Sequence, residues 1–425
     1  MPLREIEIIP LTRPLNASVT PPGSKSITNR ALILAAMADG RSVIEGALLS
    51  DDTARMAAAL QALGFAVETD APQRRITVFG RAGRIPAIAA DLDAGNAGTA
   101  MRFLAGFVTL GRGRYRLDGS VRMRERPIAS LLETLRALGV AASSANRDDR
   151  PPIIIDMSGA HFAGGEATID ASLSSQFVSA LLMPAPRWPR GLRLTVRGET
   201  AHPFIAMTTR LMERWGAHST MRDDTIVVAG GQQYQPMEFS VEPDATAAGY
   251  FAAAAVVAGG VVTIRGLEAD SLQGDSGFFA LLERMGARVV RRGGAIEVAS
   301  GAELRGLDVT MNTMPDVVPT LAAIAPFASS PTRIRGVGFI RHHESDRIRA
   351  LATELRRLGA AVEEFDDGLG IAPSTLHAAT IETYDDHRIA MAFAVAGLRV
   401  AGVRITNPGC VAKTYPNFFR DLATL

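Results

Sequence analysis

The chain carries only two lysines, and both lie among small or polar residues. Of its 45 basic residues, Lys25 and Lys413 are the lysines and the other 43 are arginines. Arginine serves wherever a generic cation suffices, so a retained lysine indicates a need for a compact charge or for an amine that can release a proton near neutral pH. We therefore predict that both amines bind ligand or transfer protons. The alternative is that codon bias replaced most lysines by arginines and that these two lysines remained by chance.

Three helix starts in the first half of the chain have the composition of an anion site. They lie at residues 23–26, 93–99 and 172–176. Free backbone N–H groups and the helix dipole favour a negative ligand at such a start. The first of them lacks the initial glycine of the Walker-type loop, so nucleotide binding is not predicted. One such start is usually only an N-cap, but three in register indicate a shared anionic ligand.

The corresponding helix starts in the second half are acidic. They lie at residues 243–246, 314–316 and 385–388, and a polar run at 342–347 lies between the last two. Carboxylates there are candidate acids and bases, while Arg126, Arg347 and Arg388 can clamp phosphate or carboxylate through paired hydrogen bonds. No His or Cys spacing matches a metal site, and we expect neither a metal nor a cofactor.

A repeat of roughly 70 residues organises these motifs. Predicted helices end at Gly64, Gly139, Gly216, Gly286 and Gly359, with steps of 75, 77, 70 and 73 residues. Glycine at that place is the usual left-handed helix stop. The polar helix starts recur in parallel, near residues 25, 98, 175, 245, 316 and 386. Because the Ala-rich helices that follow are apolar on every side, each repeat is predicted to bury its inner helix in a core.

Six repeats predict an α/β protein of two similar domains with three repeats each. We place the first domain at residues 22–236 and the second at 1–21 and 237–425, with a crossover at 232–237. The cleft between two such domains is the default ligand site.

Composition excludes several classes of function. A net charge of +1 offers no field for nucleic acid or an anionic membrane. The single cysteine, Cys410, excludes an intramolecular disulfide, and the N-terminus lacks a secretory pattern, so we expect a cytoplasmic protein. The uncharged run 246–264 is long enough to span a bilayer, but its alanines, its glycines and its place in the repeat argue against a membrane helix.

These motifs resemble the 5-enolpyruvylshikimate 3-phosphate synthase family over essentially the whole chain. The matching segments are residues 23–26 with Asn29 and Arg30, 95–99 with Arg102, 124–127, 174–176, 315–316, 344–347, 386–388 and 412–414. The resemblance implies two domains of three βαβαββ units, an inside-out α/β barrel with helix N-termini facing the interdomain cleft. It also implies transfer of the enolpyruvyl group of phosphoenolpyruvate to the 5-hydroxyl of shikimate 3-phosphate, with release of phosphate, on the route to aromatic amino acids.

The resemblance assigns residues to three roles. Its acid–base set is Lys25, Asp316, Glu344 and Lys413. Its shikimate 3-phosphate set is Lys25, Ser26, Arg30, Ser174, Ser175, Gln176, Asp316 and His343. Its phosphoenolpyruvate set is Lys25, Gly98, Arg126, Gln176, Arg347, Arg388 and Lys413. Asp316 is our preferred acceptor of the hydroxyl proton. The partners are thus two small molecules, without nucleic acid or membrane, and a monomer is expected.

Four positions differ from the commonest family pattern: Ala201, Phe204, Phe339 and His343. They stand where Ser, Tyr, Asn and Lys are usual, and the first two replace polar groups that often contact the shikimate ligand. We predict that His343, together with His202, partly replaces the missing cation. Space beside Gly98 makes inhibition by glyphosate a family-based expectation, and Phe103 stands where Pro is frequent.

Two rival functions follow from the same residues. A UDP-N-acetylglucosamine enolpyruvyl transferase shares the fold and the donor, but that family typically has Lys followed by Asn at the first loop and a cysteine near Arg126. Here Lys25 precedes Ser26, and no cysteine lies before Cys410. A non-catalytic paralogue that binds an anionic metabolite is the second rival, and the four departures motivate it.

Overall fold

A computed structural model of the chain divides into two domains. The structure describes residues 4–159, 162–198, 202–268 and 270–425. The first domain comprises residues 23–241, and the second comprises 1–22 and 242–425. Ala201, one of the four departures, lies outside the described residues.

Helices supply the cores of both domains. In the described ranges they are α1 Lys25–Met37, α2 Asp51–Ala62, α3 Gly98–Phe107, α4 Val121–Glu125, α5 Ala129–Ala137, α6 Ser175–Leu182, α7 His202–Arg214, α8 Ala245–Ala258, α9 Phe278–Arg284, α10 Val318–Ile324, α11 Arg347–Arg357, α12 His387–Gly397 and α13 Phe418–Leu422. Short 3-10 turns that bear on the site are Gly274–Gly277, Pro315–Val317, Gly338–His342 and Pro408–Lys413.

The strands are short and alternate with the helices. In the same ranges they are β1 Glu5–Glu7, β2 Leu15–Val19, β3 Asp39–Glu45, β4 Ala66–Asp70, β5 Arg75–Arg81, β6 Ala89–Asp93, β7 Arg114–Asp118, β8 Ala141–Ser144, β9 Ile153–Asp156, β10 Gly165–Asp170, β11 Leu192–Arg197, β12 Ser219–Arg222, β13 Thr225–Val228, β14 Glu238–Ser240, β15 Gly260–Arg265, β16 Arg288–Arg292, β17 Ala295–Ala299, β18 Asp308–Thr310, β19 Thr332–Arg335, β20 Val362–Phe365, β21 Gly368–Ile371, β22 Thr380–Ile381 and β23 Arg404–Thr406.

One sheet pattern recurs along the chain. In the sheet ordered β6-β7-β9-β8, the first two strands are parallel across α3, and the last two form an antiparallel hairpin. The sheets β10-β11-β13-β12 and β18-β19-β21-β20 repeat this order. The pattern is the βαβαββ unit, with a parallel pair that needs a helical crossover and a hairpin that needs only a turn.

The inner helices are buried on nearly every side. All residues of α3 and α12 are buried, and in α8 only Ala258, the last residue, is not. The Ala-rich composition permits this, because small side chains let helices and sheets approach closely without polar groups to satisfy. The uncharged run 246–264 is accordingly divided between α8 and β15. None of the helices in the described ranges is long and apolar enough to cross a membrane.

The predicted helix stops are confirmed. Gly64, Gly139, Gly216, Gly286 and Gly359 all have φ between +91° and +107°. Glycine adopts this left-handed region without the steric penalty that a Cβ atom causes. The period found in the sequence therefore reflects a repeated backbone turn.

Two strands fix where the chain passes from one domain to the other. β2 pairs in parallel with β15, so residues before 23 belong to the second domain. β14 pairs in parallel with Val43–Glu45 of β3, so the first domain extends to residue 241. The sequence-based division ended the first domain at 236, because the polar run before β14 resembles a linker while the three-residue strand itself carries no clear signal.

Candidate active site

Lys25 is the first residue of α1 and is buried beside a carboxylate. Its Nζ lies 3.3 Å from Oδ2 of Asp52, which begins the second helix of the same repeat and is only 3% exposed. Gly23 permits this tight start, because a Cβ there would lie 2.0 Å from the carbonyl oxygen of Gly46. The sequence did not predict Asp52 as the partner of Lys25, since an acidic residue in the first turn of a helix resembles an ordinary dipole partner.

Arg30 lies one turn into α1 and joins three helices. Its Nε donates to Thr208 Oγ1 at 2.7 Å, and its Nη2 donates to Ser179 Oγ at 3.2 Å. Its Nη1 donates to the carbonyl oxygen of Ser26 at 2.9 Å. Burial lowers the pKa of Arg30 to about 9, which still leaves the guanidinium charged at pH 7. This residue therefore holds the backbone of Ser26 and packs α1 against α6 and α7.

Gly98 begins α3 and faces two guanidinium groups. A Cβ at this position would lie 2.8 Å from Nη2 of Arg126 and 3.0 Å from Nη1 of Arg102. Arg126 is 5% exposed, and Arg102 donates to the carbonyl oxygen of Pro127 at 2.9 Å. Asn29 donates to Thr99 Oγ1 at 2.8 Å, so the starts of α1 and α3 are neighbours. The structure thus brings together Gly98 and Arg126, two residues of the predicted phosphoenolpyruvate set.

The third helix start of the first domain is capped by its own serine. Ser174 accepts a hydrogen bond from the backbone N–H of Gln176 at 3.2 Å, and Ser175 is buried. α6 packs against α3 and α7, with Arg30 and Ser179 linking it to the second turn of α1. The first-domain residues that the sequence predicts to bind shikimate 3-phosphate therefore lie on neighbouring helices.

Asp316 in the second domain is held by two arginines. Its Oδ1 accepts from Arg347 Nη1 at 3.1 Å, and its Oδ2 accepts from Arg388 Nη2 at 2.5 Å. The guanidiniums are 1% and 5% exposed, respectively. Burial lowers the pKa of Arg388, but the Asp316 carboxylate, together with Tyr250, Asp244 and Asp275, raises that pKa above the ordinary value. Three sequence-predicted residues from three helix starts therefore meet in one ion-pair cluster.

Asp386 and Glu344 complete the charge around Arg347. Asp386 Oδ2 accepts from Arg347 Nε at 2.9 Å, and Glu344 Oε2 accepts from its Nη2 at 2.8 Å. Asp386 also caps α12 by accepting from the N–H of Arg388 at 3.0 Å. Burial lowers the pKa of Arg347, while the carboxylates of Asp386, Glu344 and Asp316 together raise it above its usual value. Arg347 is therefore a fixed cation shared by three acidic groups.

Lys413 lies at the end of the turn Pro408–Lys413 and reaches the same cluster. Its Nζ is 3.9 Å from Oε1 of Glu344, and both side chains are 9% exposed. The structure therefore joins Asp316, Glu344, Arg347, Arg388 and Lys413 within one domain. Lys25 belongs to the other domain and has its own carboxylate partner.

His343 lies against Arg347. Its Nδ1 is 3.1 Å from Arg347 Nη1, and its ring meets the ring of Phe339 edge to face at 5.8 Å. A guanidinium can only donate, so this geometry requires a lone pair on Nδ1 and hence the neutral Nε2–H tautomer. Of the other residues linked to the departures, His202 is exposed, and the backbone carbonyl of Phe204 accepts from Arg30 at 3.3 Å.

Solved structures share this architecture. The EPSP synthase of Acinetobacter baumannii superposes with a TM-score of 0.83 at 25% identity, covering 99% of this chain and 98% of that one. The enolpyruvyl transferase NikO of Streptomyces tendae superposes with a TM-score of 0.75 at 22% identity, covering 99% and 96%, and shows the fold alone. The chain therefore has the fold of the enolpyruvyl transferases, and the predicted fold class is confirmed.

Sequence comparison narrows this class to one family. The family described as EPSP synthase (3-phosphoshikimate 1-carboxyvinyltransferase) matches residues 10–422. A 3-phosphoshikimate 1-carboxyvinyltransferase of a Nostoc species is 46% identical over 97% of both chains. The chloroplastic enzyme of Solanum lycopersicum is 43% identical over 98% of this chain and 84% of its own length. The chain belongs to the EPSP synthase family and is a transferase, which confirms the resemblance read from the sequence.

Proposed function

We propose that this chain transfers the enolpyruvyl group of phosphoenolpyruvate to the 5-hydroxyl of shikimate 3-phosphate and releases inorganic phosphate. The observation that carries the proposal is the 46% identity to a 3-phosphoshikimate 1-carboxyvinyltransferase over 97% of both chains. The family match across residues 10–422 disfavours the UDP-N-acetylglucosamine alternative.

The reaction needs three proton movements and the neutralisation of several negative charges. C3 of phosphoenolpyruvate gains a proton while the 5-hydroxyl loses one and attacks C2. The tetrahedral intermediate then loses phosphate from C2 and a proton from C3, which restores the C=C bond of the enolpyruvyl group. Positioned acids and bases supply the proton transfers, and fixed cations stabilise charge that develops in the transition state. The acidic groups and arginines of the second domain offer both kinds of group within one cluster.

Asp316 is assigned as the base for the 5-hydroxyl. Its two oxygens pair with Arg347 and Arg388. A carboxylate or phosphate that binds these guanidiniums competes for the same N–H groups, and a carboxylate that loses cationic partners holds a proton more strongly. Binding of phosphoenolpyruvate would therefore strengthen Asp316 as a base at the moment when the base is needed.

Glu344 and Lys413 are assigned to the proton that C3 receives. They form a buried pair, and Glu344 also accepts from Arg347. A buried pair of this kind can pass a proton to a substrate without admitting bulk water. Lys25 completes the acid–base set predicted for the reaction.

The anion-binding residues divide between the domains. Shikimate 3-phosphate is assigned to Lys25, Ser26, Arg30, Ser174, Ser175, Gln176, Asp316 and His343. Phosphoenolpyruvate is assigned to Lys25, Gly98, Arg126, Gln176, Arg347, Arg388 and Lys413. The support comes from buried guanidiniums and helix starts, both of which favour anions. Arg30 also fixes Ser26, whose carbonyl oxygen accepts a hydrogen bond from it. The monomeric state, cytoplasmic location and glyphosate inhibition stay predictions.

Phosphate release tests the proposal directly. Purified protein is given phosphoenolpyruvate with either shikimate 3-phosphate or UDP-N-acetylglucosamine. We expect release with shikimate 3-phosphate alone. Phosphate release only with UDP-N-acetylglucosamine would show that the chain has the rival activity. Release with neither acceptor, from folded protein, would support the interpretation as a non-catalytic paralogue that binds an anionic metabolite.

A further inference from the structure

Asp275 is a buried carboxyl group for which the assignments above have no role. It lies in the turn Gly274–Gly277 and is 5% exposed. Oδ2 accepts from Thr246 Oγ1 at 2.8 Å, while the buried Oδ1 has no hydrogen-bond partner among the described residues. Burying an ionised oxygen without a donor is costly, so a purely structural role would be served better by an apolar residue.

The turn that carries Asp275 is fixed to the start of α8. Gln273 accepts from the backbone N–H of Ala245 at 3.0 Å and donates to the carbonyl oxygen of Pro243 at 2.7 Å. Gly277 faces Met314, two residues before Asp316, and a Cβ there would lie 2.8 Å from the Met314 methyl carbon. The turn therefore packs against both α8 and the turn Pro315–Val317.

Charged and titratable groups face Asp275 from each of these elements. Asp244 comes from the start of α8, Asp316 from the turn Pro315–Val317, and Arg388 from α12. Burial raises the pKa of Asp275 to about 7, and the charge of Asp316 acts in the same direction. Arg388 and the Thr246 hydroxyl oppose the rise. Asp275 and Asp316 therefore compete for the counter-charge of Arg388.

We propose that Asp275 is a positioning residue that sets the proton affinity of Asp316 through their shared neighbour Arg388. The proposal rests on the proposed function, because it takes Asp316 as the base. Coupling between two sites is reciprocal, so the ionised form of Asp275 must make Asp316 hold a proton more strongly by as much as Asp316 affects Asp275. Ionised Asp275 thus makes Asp316 the stronger base, and neutral Asp275 makes it the weaker one.

The pH dependence of turnover tests this coupling. We compare kcat of the wild type and of Asp275→Asn at saturating substrates from pH 5.5 to 9. The wild type is expected to gain activity through an inflection near pH 7 as Asp275 ionises. The variant keeps the shape but not the charge, so it should lack this inflection and turn over roughly 3- to 10-fold more slowly above pH 8.

Two Thr246 variants separate coupling from simple structural damage. Thr246→Val removes the hydrogen bond that favours ionised Asp275, so the inflection should move to higher pH. Thr246→Ser keeps the hydroxyl and should restore the wild-type profile. A merely structural role would instead scale kcat by the same factor at every pH.

Thermal unfolding supplies a readout that does not depend on turnover. A carboxyl group whose pKa is raised in the folded state makes the folded protein less stable as the pH rises. For Asp275 this loss runs from pH 3.8, its pKa in the unfolded chain, to about pH 7. The Tm of Asp275→Asn relative to the wild type should therefore increase between pH 4.5 and pH 8. Identical pH profiles of kcat in the wild type and Asp275→Asn would overturn the positioning role and leave the function intact. Absence of phosphate release from the wild type itself would overturn the proposed function instead.

Discussion

Arg388 Nη2 and Asp316 Oδ2 lie 2.5 Å apart, although 72 residues separate them in the chain. Each lies at a helix start of a different repeat, and Arg347 from a third start binds the other oxygen of Asp316. The repeat architecture therefore concentrates charge in a domain whose inner helices are almost wholly apolar. The consequences for activity and stability can be measured separately.

Replacing Asp316 by Asn should abolish most of the activity. The amide keeps the shape but cannot take the hydroxyl proton, and loss of a general base costs on the order of 100- to 10,000-fold in kcat. Asp308→Asn is the matched control, since Asp308 also binds an arginine, Arg335, through two 2.8 Å hydrogen bonds but is 60% exposed. Its kcat should equal that of the wild type. A turnover number of Asp316→Asn near the parent's would disprove the assignment.

Replacing Arg347 by Met should destabilise the fold as well as impair activity. The change leaves Asp386, Glu344 and Asp316 without the cation that they share. Removing one partner of a buried ion pair lowers the free energy of unfolding by about 3–5 kcal/mol. Arg335→Met removes an exposed pair, which solvent screens, and should lower the free energy of unfolding far less. Urea denaturation compares the two variants. Equal losses would show that burial does not decide the contribution of Arg347.

Replacing Gly98 by Ala should weaken phosphoenolpyruvate binding. The new Cβ would lie 2.8 Å from Nη2 of Arg126 and would displace that guanidinium. We expect the KM for phosphoenolpyruvate to rise by roughly 10-fold, the cost of about one weakened charged hydrogen bond, with a smaller effect on shikimate 3-phosphate. Gly159→Ala, which meets nothing within 4 Å, is the control. An unchanged KM in Gly98→Ala would show that Arg126 does not bind the donor.

Binding of shikimate 3-phosphate should weaken as pH rises from 6 to 8. A bound phosphate favours the charged form of the His343 imidazole. To bind it, the His343 side chain would turn away from Arg347, and it can act as a cation only while it is protonated. The KM for shikimate 3-phosphate is measured across this range for the wild type and for His343→Gln, which should be insensitive to pH. A flat wild-type profile would leave His343 only as the partner of Arg347 that the structure shows.

Cys410 should react slowly with thiol reagents. Burial raises the pKa of its thiol to about 12, so at pH 8 its thiolate population, and with it the alkylation rate, falls roughly 1000-fold below that of a free cysteine. Mass spectrometry after iodoacetamide treatment measures the modified fraction, and the urea-unfolded protein provides the fast reference. Rapid labelling of the folded protein would contradict the burial argument.

The sequence by itself determined the features that depend on neighbours along the chain. Left-handed glycines at helix ends, serine and aspartate caps, and helices apolar on every side are local patterns, so their period was visible before any packing was known. The same period placed Gly98, Ser175, Asp316 and Asp386 at equivalent helix starts, and the motifs around them identified the family.

Tertiary structure decided which of these groups meet. Lys25 pairs with Asp52, and Thr246 binds Asp275, yet both acids resemble ordinary helix-start residues in the sequence. β14 joins the first domain because it pairs with β3, almost 200 residues earlier in the chain. Such partners are selected by how helices and sheets pack, since a buried charge must find a counter-ion wherever the fold brings one. The local sequence pattern does not show where along the chain such a partner lies, and only the packed structure identifies it.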